Sequence, residues 1–163
     1  MSSAADLDDH LDVVVVDVDG VRCALAAVEV VELHPVVHIA PLPGAPPAVE
    51  GVVDLRGAVV PVFDLRARLG LTRRPPVLSD HLVFARVGSR VVGLRVDRAV
   101  DLAVIDTSRI EEGLALAPAP YVSGVARLDD GLVLIHDLAT FLSSAEAVAL
   151  DEALASLGSE RPV

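Results

Sequence analysis

The groups in this chain that could carry chemistry are five histidines, one cysteine and a few acidic clusters. His34 and His38 stand four apart, a spacing that on a helix would present both rings to one metal ion. Pro35, followed by the β-branched Val36 and Val37, makes that stretch a turn and strand instead. An even spacing keeps both rings on one strand face, but no third ligand accompanies them, so no metal site is expected. Cys23 lies in an apolar run between Arg22 and Ala24, the setting of a buried and inert thiol. Asp129-Asp130-Gly131 has the start of a calcium loop without its ladder of ligands or its distal Glu, and reads as a hairpin turn. No Gly-x-Gly-x-x-Gly, phosphate loop, Gly-x-Ser-x-Gly or His-Glu-x-x-His occurs. The basic residues are all Arg. That excludes Schiff-base chemistry and a phosphate-loop lysine. The expectation is a protein without catalysis, cofactor or metal, built to bind.

The elements that would position a binding surface show themselves as an internal repeat. Val49-Glu50-Gly51-Val52-Val53-Asp54-Leu55 and Val122-Ser123-Gly124-Val125-Ala126-Arg127-Leu128 share one pattern at an offset of 73, and each continues through a turn and a Val/Leu-rich run to Asp-Leu, at Asp64-Leu65 and Asp137-Leu138. Upstream of each copy stands a second hairpin. Asp19-Gly20 joins Val13–Val18 to Val21–Ala26, and Gly88-Ser89 joins Leu82–Val87 to Arg90–Val96; the segments that follow, ending at Leu33 and Leu102, are offset by 69. His136 corresponds to Phe63, so it is read as a packing position. Asp64 and Asp137 are read as caps of short helices.

Each half therefore predicts a hairpin, a connecting segment and a second hairpin. The fold class is mostly β, as two tandem five-stranded β-barrel lobes with short helices and a C-terminal helix; a single β-sandwich is the alternative. The lobes divide near residues 70–80, where Pro75-Pro76 forbids a continuing ladder. Runs such as Val13–Val16 and Val59–Phe63 lack a polar face. They imply burial on both sides, one inside the strand's own lobe and one against the other lobe. Residues 144–158 predict an amphipathic helix capped at Ser143-Ser144, with Glu146 in its first turn and Ala147, Leu150, Leu154 and Leu157 on one stripe. Residues 1–10 and 159–163 read as flexible tails.

Composition narrows the ligand. Hydrophobic residues make up 53% and mean hydropathy is +0.57, so a core is available, yet aromatics are only 2% and the filler must be aliphatic. Small-ligand pockets favour aromatics, so a protein partner is expected. Thirteen basic against 24 acidic residues give −11, which argues against nucleic acid and against anionic membrane surfaces. A single cysteine fits a reducing, cytoplasmic setting, and no apolar run is long enough to span a bilayer.

The segment Gly51-Val52-Val53-Asp54-Leu55-Arg56-Gly57-Ala58-Val59-Val60-Pro61-Val62-Phe63-Asp64-Leu65-Arg66 resembles the CheW family of chemotaxis coupling proteins, with Asp54 where that family usually has Asn. Gly88–Asp97, Tyr121–Asp130, and Asp137-Leu138 with Leu142 match further family segments, so the resemblance runs from about Leu11 to Ser143. It implies a CheW-like domain over 11–143 made of two interlocked five-stranded β-barrel lobes. It also implies a non-enzymatic adaptor that couples methyl-accepting chemoreceptors to the histidine kinase CheA, whose regulatory domain shares the fold. Adaptors of type IV pili or other chemosensory pathways belong to the same family, and the fold also occurs within larger kinase-type or receiver-fused proteins. Position by position, the resemblance assigns receptor binding to Val30, Glu32, Arg56, Ala99 and Leu102. It assigns kinase binding to Val37, His38 and Gly57, on a cytoplasmic protein recruited to receptor arrays at the membrane.

Overall fold

The computed structural model of the protein describes residues 9–112, 122–129 and 131–159. The Asp19-Gly20 turn, with both residues at positive φ, joins β1 (His10–Val18) to β2 (Val21–Ala26) as an Asp-Gly pair between valine runs requires. In chain order there follow β3 (Val30–Pro35), β4 (Val49–Leu55), β5 (Ala58–Asp64), the single-turn helix α1 (Leu65–Arg68), β6 (His81–Val87), β7 (Arg90–Val96) and β8 (Arg98–Asp106). The chain closes with β9 (Ile110–Glu112), β10 (Val122–Leu128), β11 (Gly131–His136) and the helix α2 (Ser144–Ser159). β1 thus starts at His10, inside the predicted tail. The rest of the predicted tails beyond the described residues, together with Tyr121 and Asp130, lies outside this description.

The strands form two sheets, ordered β8-β1-β2-β11-β10-β9 and β3-β6-β7-β5-β4. The molecule is mostly β and two-lobed, as expected, but the lobes are not the two halves of the chain. The first hairpin, β1-β2, sits in the sheet of the second half, and β6-β7 sits in the sheet of the first half. A cut at 70–80 would sever both sheets. The exchange obeys the internal repeat. β2 runs parallel to β11 with Ala24 opposite Ile135, and β7 runs parallel to β5 with Gly93 opposite Val62. Nor, among the described residues, are the lobes closed five-stranded barrels: one sheet has six strands, and in neither do the end strands pair with each other. In the five-stranded sheet the gap is crossed by one bridge, in which Ala40 and Val52 exchange backbone hydrogen bonds of 2.9 and 2.7 Å. Pro35 ends β3 before a longer ladder can form.

Burial explains the exchange. Along β1, Val14, Val16 and Val18 join a core shared by the two sheets, while Val13 and Val15 point into a second core of the six-stranded sheet. Along β6, Val83, Ala85 and Val87 join the shared core, while Leu82 and Phe84 fill the inside of the five-stranded sheet. Strands covered on both faces must lie between two apolar layers.

The glycines of the repeated motif are required by close approach. A Cβ on Gly51 would lie 2.0 Å from the Ala40 carbonyl oxygen, and one on Gly124 would lie 2.9 Å from Ile110. Asp64 and Asp137 cap as predicted, accepting from the backbone N–H of Arg66 and Ala139. α2 opens with a reciprocal capping box, Glu146 N–H to Ser143 Oγ and Ser143 N–H to Glu146 Oε1, both 3.1 Å. Its Leu150 and Ala153 reach the shared core, and Arg68–Glu146 and Arg90–Asp151 ion pairs of 2.8 and 2.6 Å hold its flanks.

His136 occupies the place of Phe63 and is 4% exposed; burial pushes its pKa down from 6.5 to about 4. Gly51→Ala should cost more than about 2 kcal/mol in urea unfolding, whereas Gly57→Ala, at a turn with open space, should cost about 1 kcal/mol. Between pH 6.5 and 4 the unfolded chain takes up a proton at His136 that the folded chain refuses, so stability falls as pH drops through that window. His136→Phe should remove up to about 3 kcal/mol of that loss, read as the difference between the two pH–stability profiles.

Candidate functional site

The β4-β5 turn is the local structure that the family motif encodes. Arg56 and Gly57 both have positive φ, and Asp54 Oδ1 accepts the Gly57 N–H at 2.7 Å, so the carboxylate braces the turn. The turn aims the Arg56 guanidinium at Glu32, to which it donates a hydrogen bond. Glu32 belongs to β3, at the opposite end of the sheet from β4, so the sheet curls until its two edges meet through these side chains. His34 Nε2 lies 3.4 Å from the other Glu32 oxygen. Two residues assigned to receptor binding are thereby in contact, and His34 joins them.

The other residues that the resemblance assigns to receptor binding lie on matching edge strands. Val30 stands opposite Ala85 on β6, and Ala99 opposite Val16 on β1, positions related by the offset of 69. Leu102, opposite Val14, is 71% exposed, and Val104 beside it on the same strand face is 62% exposed. Leu33, the counterpart of Leu102 on β3, is also exposed. Val30 is half-buried against the shared core, so its role is partly packing.

Of the residues that the resemblance assigns to kinase binding, Val37 and His38 are exposed. His38 lines a cleft of about 380 Å³ together with Val53, Asp54, Val59 and Leu157. Asp54 ties this cleft to the Gly57 turn. By sequence Leu157 belongs only to the packing stripe of α2, and its place on the cleft is legible only once α2 is docked. Arg56 and Gly57 are neighbours, so the two sets of residues touch at this turn, whereas Leu102 belongs to the other sheet.

Reactive groups are quiet. Burial, with a smaller contribution from Asp17, pushes the Cys23 thiol up to about 12. Among the described residues no three His, Cys, Asp or Glu side chains gather as a metal site. Among the described residues no helix is long and apolar enough to cross a membrane.

What sequence reasoning missed is a buried ionic cluster. Arg95 bonds to Asp80 (2.9 Å), to Glu50 (2.5 Å) and to the Arg74 carbonyl (2.7 Å). Arg74 grips Asp80 with two bonds of 2.7 and 2.9 Å and reaches Asp97, which Arg66 also holds at 2.8 Å. Burial alone would raise the Asp80 carboxyl, but bonds from Arg74, the Val77 N–H and Arg95 outweigh it and hold it below the usual range. The cluster fixes the 71–80 connection to β5, α1 and β7.

Comparison with known proteins places this architecture. The family model for the CheW-like domain matches residues 12–146. The chain is 34% identical over 112 residues to the chemotaxis protein CheW of Rhizobium meliloti, covering 67% of this chain and 72% of that protein. It is 28% identical over 141 residues to the CheW of Bacillus subtilis, covering 83% and 90%. The crystal structure of the scaffolding protein TtCheW from Thermoanaerobacter tengcongensis superposes with a TM-score of 0.77 at 26% identity, over 83% of this chain and 94% of that one. The chain belongs to the CheW-like family of chemotaxis scaffold proteins.

Proposed function

We propose that the protein is an adaptor that holds a histidine kinase of the CheA type against methyl-accepting chemoreceptors, in the cytoplasm at receptor arrays. The observation that carries this reading is the exposed apolar edge of β8, Leu102 with Val104, on a scaffold whose other sheet presents a separate cleft at His38, Val59 and Leu157. An amphipathic receptor helix offers a narrow apolar stripe, and an exposed edge with leucine and valine on one face suits it. The kinase meets the end of the five-stranded lobe, at Val37, His38 and the Gly57 turn. Glu32 and Arg56 lie between, with Glu32 on the strand equivalent to β8 and Arg56 beside Gly57, so the pair can pass strain from one contact to the other.

The protein does no bond-making chemistry in this account. It supplies geometry: two partners held in fixed relation by one body. Leu102→Arg tests it. The residue is exposed, so melting should move by no more than about 2 °C. A charge placed in an apolar contact should weaken binding of a receptor-tip fragment at least about tenfold. Binding of the kinase regulatory domain should stay within about twofold, since separated sites act independently. Titration calorimetry of each partner against wild type and variant reads both; equal loss for the two partners in a folded variant would reject the assignment.

A further inference from the structure

The repeat sets an aspartate at the same place in each lobe, and the two are served differently. In the five-stranded lobe Asp64 caps α1 through Oδ1 and stands opposite Arg95 in the parallel pair of β5 and β7. Its Oδ2 lies 3.5 Å from the guanidinium groups of both Arg95 and Arg73. In the six-stranded lobe Asp137 caps in the same way, accepting the Ala139 N–H at 2.9 Å. There the parallel register of β11 and β2, with Ile135 opposite Ala24, carries Ala26 to the place of Arg95. The cap is kept and its arginine is gone. Among the described residues no ion pair to Asp137 replaces it.

Ala26 and Asp137 line one cavity of about 380 Å³. Leu11, Ile135 and Leu138 give it apolar sides. Its charged groups are Glu29 and Asp137 against Arg86, and burial keeps His136 neutral near pH 7, so the wall carries one net negative charge. We propose that this cavity seats one arginine side chain of a partner protein, its guanidinium meeting Asp137 and Glu29 and its methylene stem lying along Leu11 and Leu138. The other lobe shows the occupant. There the equivalent aspartate is met by arginine, and one of the two, Arg73, arrives on a connection that continues Arg74-Pro75-Pro76. A guanidinium is more weakly hydrated than an ammonium and its fork matches a carboxylate, so arginine fits such a recess better than lysine. With Arg86 on the wall, the site has charge for one cation only. None of its lining residues is among those assigned to receptor or kinase binding, so this third surface stands or falls apart from the adaptor reading.

The probe is acetyl-Thr-Arg-Ala-Pro-Pro-amide, the sequence of residues 72–76 with its second arginine replaced by alanine. Titrated into the isotope-labelled full-length chain, it should move the amide resonances of Ala26, Ser123 and Ala139 saturably, with half-saturation at about 1 mM or below. The same peptide with citrulline for arginine keeps the shape without the charge and should bind at least about tenfold more weakly. Asp137→Asn keeps the cap, because Asn caps as well as Asp, and should weaken the arginine peptide by about tenfold. Glu29→Gln, at an exposed position, is the second variant should Asp137→Asn not fold, and should weaken it several-fold. Absence of saturable movement at those three amides, equal binding of the citrulline peptide, or unchanged binding in the folded variant overturns the proposal. N-acetylarginine amide binding as tightly as the peptide assigns the cavity to a free guanidinium compound and overturns the protein partner.

Discussion

Everything in this molecule depends on strands that are apolar on both faces. A strand such as Val13–Val16 cannot leave one side to water, so each sheet needs a layer on its inside and another on its outside. With few aromatics, those layers are aliphatic and thin, and neither lobe can assemble its covers alone. The solution is reciprocal. Each half of the chain places its first hairpin in the other half's sheet, so the shared core of Val14, Val83, Phe63 and Leu94 is built by both halves at once. The two lobes are thereby one body.

The ionic cluster around Asp80 and Arg95 serves the same end by a different means. Desolvating so many charges is costly, and a buried ion pair is a poor source of net stability. What it supplies is position: three arginines and their carboxylates pin a proline-containing connection that has little backbone ladder of its own. In the other lobe the corresponding positions are small or apolar. The two lobes share a fold but present different ends.

Much of this is legible in the sequence, because local rules decide it. The Asp-Gly turn, the caps at Asp64 and Asp137, the capping box at Ser143 and Glu146, and the two-sided burial of the valine runs all follow from residue types at short range. The internal repeat announces two related lobes. It cannot say which hairpin joins which sheet, because the parallel pairing of Ile135 with Ala24 joins residues 111 positions apart in the chain and leaves no local trace. The ionic cluster is hidden for the same reason: Arg66 and Asp97 are 31 residues apart. Glu32 and Arg56 can each be picked out by family resemblance, but their mutual contact appears only when the sheet curls. Barrel closure is where the sequence misleads, since a single bridge at Ala40 and Val52 stands where a ladder is expected.

The central claim is that the exchanged hairpins make the two lobes a single cooperative unit. Native-state amide hydrogen exchange resolves the lobes directly, with Val15 and Ala126 reporting on the six-stranded sheet and Val83 and Leu94 on the five-stranded one. The account predicts that these four amides exchange only through global opening, with the same free energy and the same dependence on low urea concentrations. A lobe whose amides exchange several kcal/mol more easily than those of the other, through an opening that leaves its partner folded, would contradict it.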